Sequence, residues 1–200
     1  MSPLSDSSTI RFYDDRADEY IRDTVNVDMG SLYQPFLELV PEGCEILDAG
    51  CGSGRDSKAF LDFGYRVTAV DASAKMVEAS TRLIGLPTRH LRFQELEATD
   101  EFDGIWACAS LLHVPLAELH DVLATFATAL RIGGVCYLSF KEGDGERVVG
   151  SRQFTDFTED GLRATLQQQP AFNVLQIWIT NDLRTDRIDE RWVNALIRKV

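Results

Sequence analysis

One short segment constrains the fold of this 200-residue chain more than any other. Residues 45–54 read EILDAGCGSG, an apolar run that ends in an aspartate and continues into three glycines, Gly50, Gly52 and Gly54. Glycine lacks a side chain and reaches positive φ values, so the pattern predicts a strand that leads into a turn lying close beneath a bound molecule. Residues 55–63 have a helical pattern, so the turn would present a helix N-terminus to that ligand.

The spacing of these glycines argues against two common nucleotide-binding motifs. The dinucleotide motif G-x-G-x-x-G, counted from Gly50, requires a third glycine where this chain has Arg55. In the dinucleotide fold that glycine lets the helix pack close to the strand, which an arginine cannot do. A phosphate-binding P-loop would need a Gly-Lys-Ser or Gly-Lys-Thr sequence, which does not follow the glycines.

The next apolar segment indicates the kind of ligand. Residues 65–70, YRVTAV, alternate in the manner of a strand and are followed by Asp71, which lies 21 positions after Gly50. An acidic residue at this spacing is placed to accept hydrogen bonds from ribose hydroxyls, so the sequence predicts an adenosine-like ligand. The alternative is that Asp71 caps the helix that begins near Ser73.

Two segments, ILDAGCGSGRD at 46–56 and VTAVDAS at 67–73, make the chain resemble the class I S-adenosylmethionine-dependent methyltransferases. The resemblance covers residues 9–199 and implies S-adenosyl-L-methionine as cofactor, with S-adenosyl-L-homocysteine as product. It implies that Asp48 organises the end that binds the methionine amino group, that Asp71 holds the ribose, and that adenine is contacted by residues 93–96, an alignment that can slip by two residues. The cofactor contacts expected on this basis are Tyr20, Asp48, Gly50, Cys51, Gly52, Ser53, Gly54, Arg55, Asp71, Ala72, Ser73, Met76, Glu95, Leu96, Ala107 and Ala109.

Strand and helix patterns alternate along the chain, which predicts an α/β fold with a doubly wound, mainly parallel sheet. Only a polar stretch separates the apolar segments 172–179 and 192–197, so these two should pair antiparallel. The resemblance implies a Rossmann-like seven-stranded sheet of order 3-2-1-4-5-7-6 with an antiparallel last strand. We expect one domain over residues 1–200, with the core at 42–200, and the least ordered segment at the glycine-rich and charged residues 141–152.

An amphipathic pattern precedes the predicted sheet. The apolar and aromatic positions recur at helical spacing and predict one face of an N-terminal helix, formed by Ile10, Tyr13, Ala17, Tyr20, Ile21 and Thr24. Such a face usually packs on the body of a domain. The resemblance implies instead a helical lid over the cofactor at residues 1–41, with Tyr20 contacting the cofactor and Tyr13 the substrate.

The candidate catalytic residues are His113 and Tyr13, with Lys141 as a further candidate. Methyl transfer from a sulfonium needs a general base only when the nucleophile must lose a proton. His113 follows the fourth predicted strand, at the edge where open α/β sheets bind ligands, and an ordinary histidine pKa of about 6.5 suits proton removal near neutrality. A histidine at this position can equally orient a loop or fill space.

The net charge of the chain limits the classes of molecule that it is expected to bind. The chain has 20 Lys and Arg residues against 32 Asp and Glu residues, a formal net charge of −12, and a field of this sign repels phosphate backbones. Nucleic acid is therefore disfavoured. Arg147, Arg152 and Arg163 lie near one another in the sequence, but the simpler interpretation is that they are solvated surface arginines. Because the chain holds little beyond the core, the lid and the 141–152 segment, we expect a small-molecule acceptor, as in small free-standing bacterial enzymes.

Other classes of site are not indicated. The four cysteines lack a C-x-x-C pair and the three histidines are dispersed, so no metal site is expected. No apolar run approaches the roughly 20 residues of a membrane span, and the first residues, MSPLSDSST, lack the basic and apolar regions of a secretory signal. We expect a cytoplasmic protein without a membrane partner, as a monomer or a homodimer.

Two functions compete with methyl transfer. A non-catalytic module that binds or senses S-adenosylmethionine would carry the same cofactor residues, because no catalytic residue is diagnostic in the family. A nicotinamide-dependent oxidoreductase shares the parallel sheet and the ribose-binding acid. Arg55 and the predicted antiparallel terminal pair disfavour the oxidoreductase.

Overall fold

The computed structural model describes residues 3–200, with side chains from residue 8 onwards. Within this range the chain forms seven α-helices and nine strands. The helices are α1 (Pro3–Asp15), α2 (Ala17–Thr24), α3 (Gly30–Leu37), α4 (Arg55–Asp62), α5 (Ala74–Ile84), α6 (Leu116–Ala129) and α7 (Glu159–Gln167). The strands are β1 (Glu45–Ala49), β2 (Arg66–Asp71), β3 (Arg89–His90), β4 (Phe102–Ala107), β5 (Leu130–Lys141), β6 (Gly145–Val149), β7 (Arg152–Asp156), β8 (Phe172–Asn181) and β9 (Arg191–Lys199).

Seven of these strands form one sheet in the order β3-β2-β1-β4-β5-β9-β8. The strands from β1 to β5 pair in parallel, whereas β9 runs antiparallel to both β5 and β8. No helix separates β8 from β9, so the chain reverses directly and the two strands pair antiparallel. Counted within the sheet, this is the predicted order 3-2-1-4-5-7-6 with an antiparallel last strand, and the prediction is confirmed.

The two faces of β1 show why the sheet is covered on both sides. Successive side chains of a strand point to opposite faces. Accordingly Leu47 packs in an apolar cluster with α6, while Ile46 packs in a second cluster that contains Phe36 of α3 and Phe60 of α4. Burial on both faces fixes the central strand, and the glycine turn that follows it, in a rigid layer.

The N-terminal helical pattern forms two helices rather than one. Arg16 has non-helical backbone angles, with φ −121° and ψ 24°, and separates α1 from α2. In a continuous helix Tyr13 and Tyr20 would lie about 10 Å apart along the axis. The break brings their rings edge to face, with centroids 5.2 Å apart. The start of α1 is fastened to the body, since the Ser8 hydroxyl donates to the Ser151 carbonyl at 2.8 Å.

The segment 141–152, expected to be the least ordered, contributes to a hairpin. Strand β6 pairs antiparallel with β7 across a tight turn at Gly150 and Ser151. Gly150 has φ 64°, the left-handed conformation that such turns favour in glycine. The hairpin is held to α1 by the Gln153 backbone N–H, which donates to the Thr9 hydroxyl at 3.1 Å. None of the helices between residues 3 and 200 has the length and apolarity to span a membrane.

Candidate active site

The glycine turn after β1 adopts the conformation that its sequence predicts. Gly50, Gly52 and Gly54 have φ values of 79°, 53° and 84°. A Cβ atom on Gly50 would lie 2.4 Å from the Cβ atom of Ser110, so packing alone excludes a side chain there. A Cβ atom on Gly52 would meet only the Tyr20 ring, at 3.5 Å. Gly52 is therefore the glycine whose missing side chain leaves space beneath the N-terminal helices.

Asp71 closes the other side of this turn. Its Oδ2 atom accepts a hydrogen bond from the Gly52 N–H at 2.9 Å, and Oδ1 accepts one from the Ser73 N–H at 2.8 Å. Burial raises the pKa of the Asp71 carboxyl, and these two backbone hydrogen bonds oppose the rise. Each carboxylate oxygen keeps a further lone pair for a ligand hydroxyl. The N-cap of α5 is Ser73, whose hydroxyl accepts from the Met76 N–H, so Asp71 does not serve as that cap.

A cavity, here called the glycine cavity, lies between the turn and the N-terminal helices. It extends from the glycine turn to the 3-10 turn after β3 and to the segment after β4. Its lining residues are Thr9, Ile10, Tyr13, Tyr20, Gly50, Gly52, Asp71, Ala72, Ser73, Met76, Leu91, Arg92, Phe93, Gln94, Ala109, Ser110, His113, Val114 and Pro115.

A second and larger cavity of about 590 Å³, here called the hairpin cavity, lies beside the first. It is lined by α2, β5, the β6–β7 hairpin, the loop between β8 and β9, and β9. Four residues line both cavities, namely Tyr13, Tyr20, Ala109 and His113. These four residues therefore mark the place where molecules held in the two cavities would meet.

His113 and Tyr13 form a hydrogen-bonded pair at this junction. The Tyr13 hydroxyl lies 2.7 Å from His113 Nε2, and His113 Nδ1 lies 2.7 Å from the Gln153 carbonyl oxygen. A carbonyl oxygen only accepts, so Nδ1 carries the hydrogen and the unprotonated Nε2 of the neutral ring accepts from the Tyr13 hydroxyl. The hairpin thus selects the tautomer of a histidine that lies 40 residues earlier in the chain.

Burial sets the protonation of this pair. It lowers the pKa of His113 to about 4, with the Arg152 charge acting in the same direction and the Gln153 hydrogen bond opposing. Burial also raises the pKa of Tyr13, against the effect of Arg152. At neutral pH the histidine is therefore a neutral acceptor and the tyrosine a neutral donor.

Ala109 lies at the same junction in a strained conformation. Its φ of 52° is uncommon for a residue with a side chain, and such strain costs on the order of 1–3 kcal/mol. The Ala109 N–H donates to the Ser139 hydroxyl at 2.8 Å, which holds the turn after β4 against β5. Backbone strain of this kind concentrates at functional sites.

Solved structures with the same fold bind a common ligand. The 1,6-didemethyltoxoflavin-N1-methyltransferase of Burkholderia thailandensis, with 1,6-didemethyltoxoflavin and S-adenosylhomocysteine bound, aligns with a TM-score of 0.80 and 24% identity over 98% of this chain and 88% of that one. The complex of DhpI with S-adenosylhomocysteine aligns with a TM-score of 0.75 and 20% identity over 100% of this chain and 98% of that one. These likenesses establish the class I methyltransferase fold.

A family model described as a methyltransferase domain matches residues 46–134, from β1 to the start of β5. This segment of the chain is therefore similar to a methyltransferase domain. Among curated proteins, the tRNA 5-carboxymethoxyuridine methyltransferase of Escherichia coli strain K12 is 27% identical over 151 residues, which are 68% of this chain and 58% of that protein. The chain thus spans little more than half the length of that relative.

Eight of the sixteen cofactor contacts expected from the sequence line the glycine cavity. They are Tyr20, Gly50, Gly52, Asp71, Ala72, Ser73, Met76 and Ala109. Arg55 lines the hairpin cavity instead. The other seven, which line neither cavity, are Asp48, Cys51, Ser53, Gly54, Glu95, Leu96 and Ala107.

The segment after β3 lines the glycine cavity two residues earlier than the stretch 93–96. Glu95 turns back, so that its Oε2 atom accepts from the Arg92 N–H at 2.8 Å, and Leu96 packs in the apolar core. Leu91, Arg92, Phe93 and Gln94 line the cavity in their place. Sequence reasoning did not nominate Leu91 and Arg92, although it allowed a two-residue slip in this short stretch.

Buried carboxylates support the glycine turn from below. Asp48 accepts from the Ser57 hydroxyl at 2.6 Å, and burial raises its pKa, assisted by the charge of Asp56. Burial acts to raise the pKa of Asp56, but the ion pair with Arg55 at 2.6 Å outweighs it and holds this pKa below its usual value. The side chains of Tyr33 and Trp106 also donate hydrogen bonds to the Asp56 carboxylate. Asp48 is therefore the first of the two carboxyls to take up a proton.

Arg55 also explains why this position is not a glycine. Besides pairing with Asp56, its Nη1 atom donates to the Thr24 carbonyl oxygen at 3.3 Å. The side chain thereby ties α2 to α4. Among residues 3–200 there is no group of three or more His, Cys, Asp or Glu side chains arranged to hold a metal ion.

Proposed function

We propose that this chain binds S-adenosyl-L-methionine in the glycine cavity and transfers its methyl group to a small-molecule acceptor in the hairpin cavity. The observation that carries the proposal is the junction of the two cavities at Tyr13, Tyr20, Ala109 and His113. The family model and the fold support the cofactor, because related structures contain S-adenosylhomocysteine.

The residues of the glycine cavity match the adenosine part of this cofactor. Gly52 leaves room beneath the Tyr20 ring, and the Asp71 carboxylate has lone pairs free for two neighbouring ribose hydroxyls. Phe93 and Gln94 offer an apolar ring and an amide to the adenine base. When bound, S-adenosylmethionine would supply a methyl group that its sulfonium activates for transfer by in-line displacement. The chain supplies position and exclusion of water, with the N-terminal helices α1, α2 and α3 acting as the lid.

Tyr13 and His113 act as the base when the acceptor must lose a proton. The Tyr13 hydroxyl takes the proton from the acceptor while it passes its own to His113 Nε2, which it already contacts at 2.7 Å. The Gln153 carbonyl keeps the other ring nitrogen protonated, so that Nε2 stays the receiving atom. In this role Tyr13 touches the acceptor and His113 acts through Tyr13.

A small acceptor is supported by charge and by the size of the hairpin cavity. The net charge of −12 disfavours a phosphate backbone, and a cavity of about 590 Å³ is of the size that holds small molecules. The relatives include methyltransferases named for tRNA and for a small heterocycle, so both classes belong in the test.

The test is release of S-adenosylhomocysteine from S-adenosylmethionine in the presence of a panel of small hydroxy, amino and thiol compounds, with bulk tRNA as a separate arm. We expect release with at least one small compound and none with tRNA. Cofactor binding without release in any arm would favour the alternative, a non-catalytic module that binds or senses S-adenosylmethionine. Release with tRNA alone would contradict the small-molecule acceptor.

A further inference from the structure

The hairpin cavity is rich in cationic side chains although the chain as a whole is acidic. Seven Lys and Arg residues line it, in a chain of net charge −12. Six of the seven have a carboxylate partner within the described residues. The pairs are Arg55 with Asp56, Lys141 with Glu190, Arg147 with Asp156, Arg184 with Asp182, Arg187 with Glu190 and Arg191 with Glu142.

Arg152 is the seventh, and no carboxylate in the described part of the chain pairs with it. Its guanidinium lies between two aromatic rings, 4.3 Å from the centroid of Phe12 and 5.0 Å from that of Phe154. Its Nε atom is buried without a hydrogen-bond partner. The Nε atom has no surface that a ligand could contact, and the guanidinium also hydrogen-bonds the Tyr13 side chain, so a ligand in the hairpin cavity would meet the terminal nitrogens of Arg152.

The position of Arg152 places such a ligand beside the reacting groups. Arg152 directly precedes Gln153, whose carbonyl oxygen binds His113, and its charge acts on the pKa of both Tyr13 and His113. The two flanking rings restrict the guanidinium, which presents a planar fork of donors. Carboxylates and similar oxyanions match this fork with two parallel hydrogen bonds.

We propose that the methyl acceptor is an anion, and that its carboxylate or an equivalent oxyanion binds Arg152 while its nucleophilic atom lies at Tyr13. The proposal rests on the proposed function, whose acceptor class it defines. Binding of an anion would neutralise the charge that lowers the pKa of His113, and would thereby make His113 a stronger base only when the acceptor is present. The apolar lining, which includes Leu112, Phe154 and Trp192, suits a compact body behind the charged group.

A purely structural role for Arg152 is the competing explanation. Its contacts with Phe12 of α1 and Phe154 of β7 could serve only to fasten the lid to the hairpin. The two roles differ in what they predict for a small anion, because a fastening contact gives no preference for a carboxylate over a neutral amide of the same shape.

The experiment titrates benzoate and the neutral isostere benzamide into the protein saturated with S-adenosylhomocysteine, by calorimetry. In the unaltered chain, benzoate should bind about tenfold or more tightly than benzamide. Arg152→Gln should abolish this preference. The matched control is Arg191→Gln, which removes one positive charge from the same cavity at a partly exposed arginine paired with Glu142, and it should keep the preference.

Equal binding of the two probes to the unaltered chain, or a preference that survives in Arg152→Gln, would overturn the proposal. Arg152→Lys provides a second test if the glutamine variant fails to fold, because lysine keeps the charge but loses the fork. The anion site predicts weaker benzoate binding in Arg152→Lys, and a fastening role predicts no change. Absence of S-adenosylhomocysteine binding in the unaltered chain would contradict the proposed function alone, since the benzoate preference can be measured without it.

Discussion

Replacing Asp71 with asparagine removes one charge from the glycine cavity and keeps the shape of the side chain. In the structure the carboxylate accepts hydrogen bonds from the Gly52 and Ser73 N–H groups and retains lone pairs that face the cavity. An asparagine has one oxygen, so it can satisfy only one of the two backbone donors and turns an amide donor toward the other.

The expected magnitude follows from these contacts. A hydrogen bond to a charged group contributes about 1.5–3 kcal/mol, which corresponds to roughly 10- to 150-fold in dissociation constant. We therefore expect Asp71→Asn to weaken S-adenosylhomocysteine binding by at least about tenfold. The backbone donor left without an acceptor should also lower the free energy of unfolding by about 1–3 kcal/mol.

Calorimetry with S-adenosylhomocysteine gives the affinity, and urea unfolding gives the stability at the same temperature. Glu95→Gln is the matched control, because it removes the same charge from a side chain that caps its own turn and does not line the cavity. Its affinity should stay within about twofold of the unaltered chain, well below the effect of losing a charged hydrogen bond. Undiminished affinity in Asp71→Asn would refute the ribose assignment, and an equal loss in both variants would mean that only overall charge matters.

Three further outcomes follow from the site. Gly52→Val should abolish S-adenosylhomocysteine binding. Gly64→Val should keep it, because Gly64 also has a positive φ but has open space around its Cβ position. Equal calorimetric affinities in the two variants would show that Gly52 does not face the cofactor. With an acceptor that must lose a proton, Tyr13→Phe should lower kcat by about 10²-fold, while its affinity for S-adenosylhomocysteine should stay nearly unchanged. Steady-state rates equal to those of the unaltered chain would show that Tyr13 does not transfer the proton. Because burial lowers the pKa of His113 to about 4, the unfolded chain binds more protons at this residue than the folded chain between pH 6.5 and 4, so the contribution of His113 to the free energy of unfolding should fall by up to about 3 kcal/mol as the pH drops through this window. The raised pKa of Asp48 acts in the opposite direction over the same range, so the quantity to measure is the difference in stability between the unaltered chain and His113→Gln. Urea unfolding at both ends of the window should show that the variant gains stability relative to the unaltered chain as the pH falls, and an unchanged difference would count against the low pKa.

The sequence alone predicted the sheet and the glycine turn after β1, because both depend on local patterns. The glycines that follow β1 need only their own positive φ values, and Asp71 reaches Gly52 because β1 and β2 are adjacent parallel strands that end at the same edge. The antiparallel end of the sheet followed from the absence of a helical pattern between β8 and β9.

Two features of one segment were not foreseen, for a common reason. The glycine and charge of residues 141–152 suggested the least ordered part of the chain, and a hairpin forms there because α1 and the loop after β4 provide partners for it. Arg152 was interpreted as a solvated surface arginine, but its Nε atom is buried and its guanidinium lies against the rings of Phe12 and Phe154, whereas Arg147 is exposed as expected. Composition describes a segment in isolation and carries no information about what packs against it.

Periodicity and spacing in the sequence determined the α/β sheet, the glycine turn and the acid beside it, since those features connect residues that are close in sequence or lie on adjacent strands. The tertiary structure decided which groups meet at the junction of the cavities. Tyr13 meets His113 across 100 residues, and the ring of His113 is oriented by a carbonyl 40 residues later. Such contacts depend on how helices and hairpins dock onto the sheet, and docking is governed by buried shape and unpaired polar groups that no local pattern records.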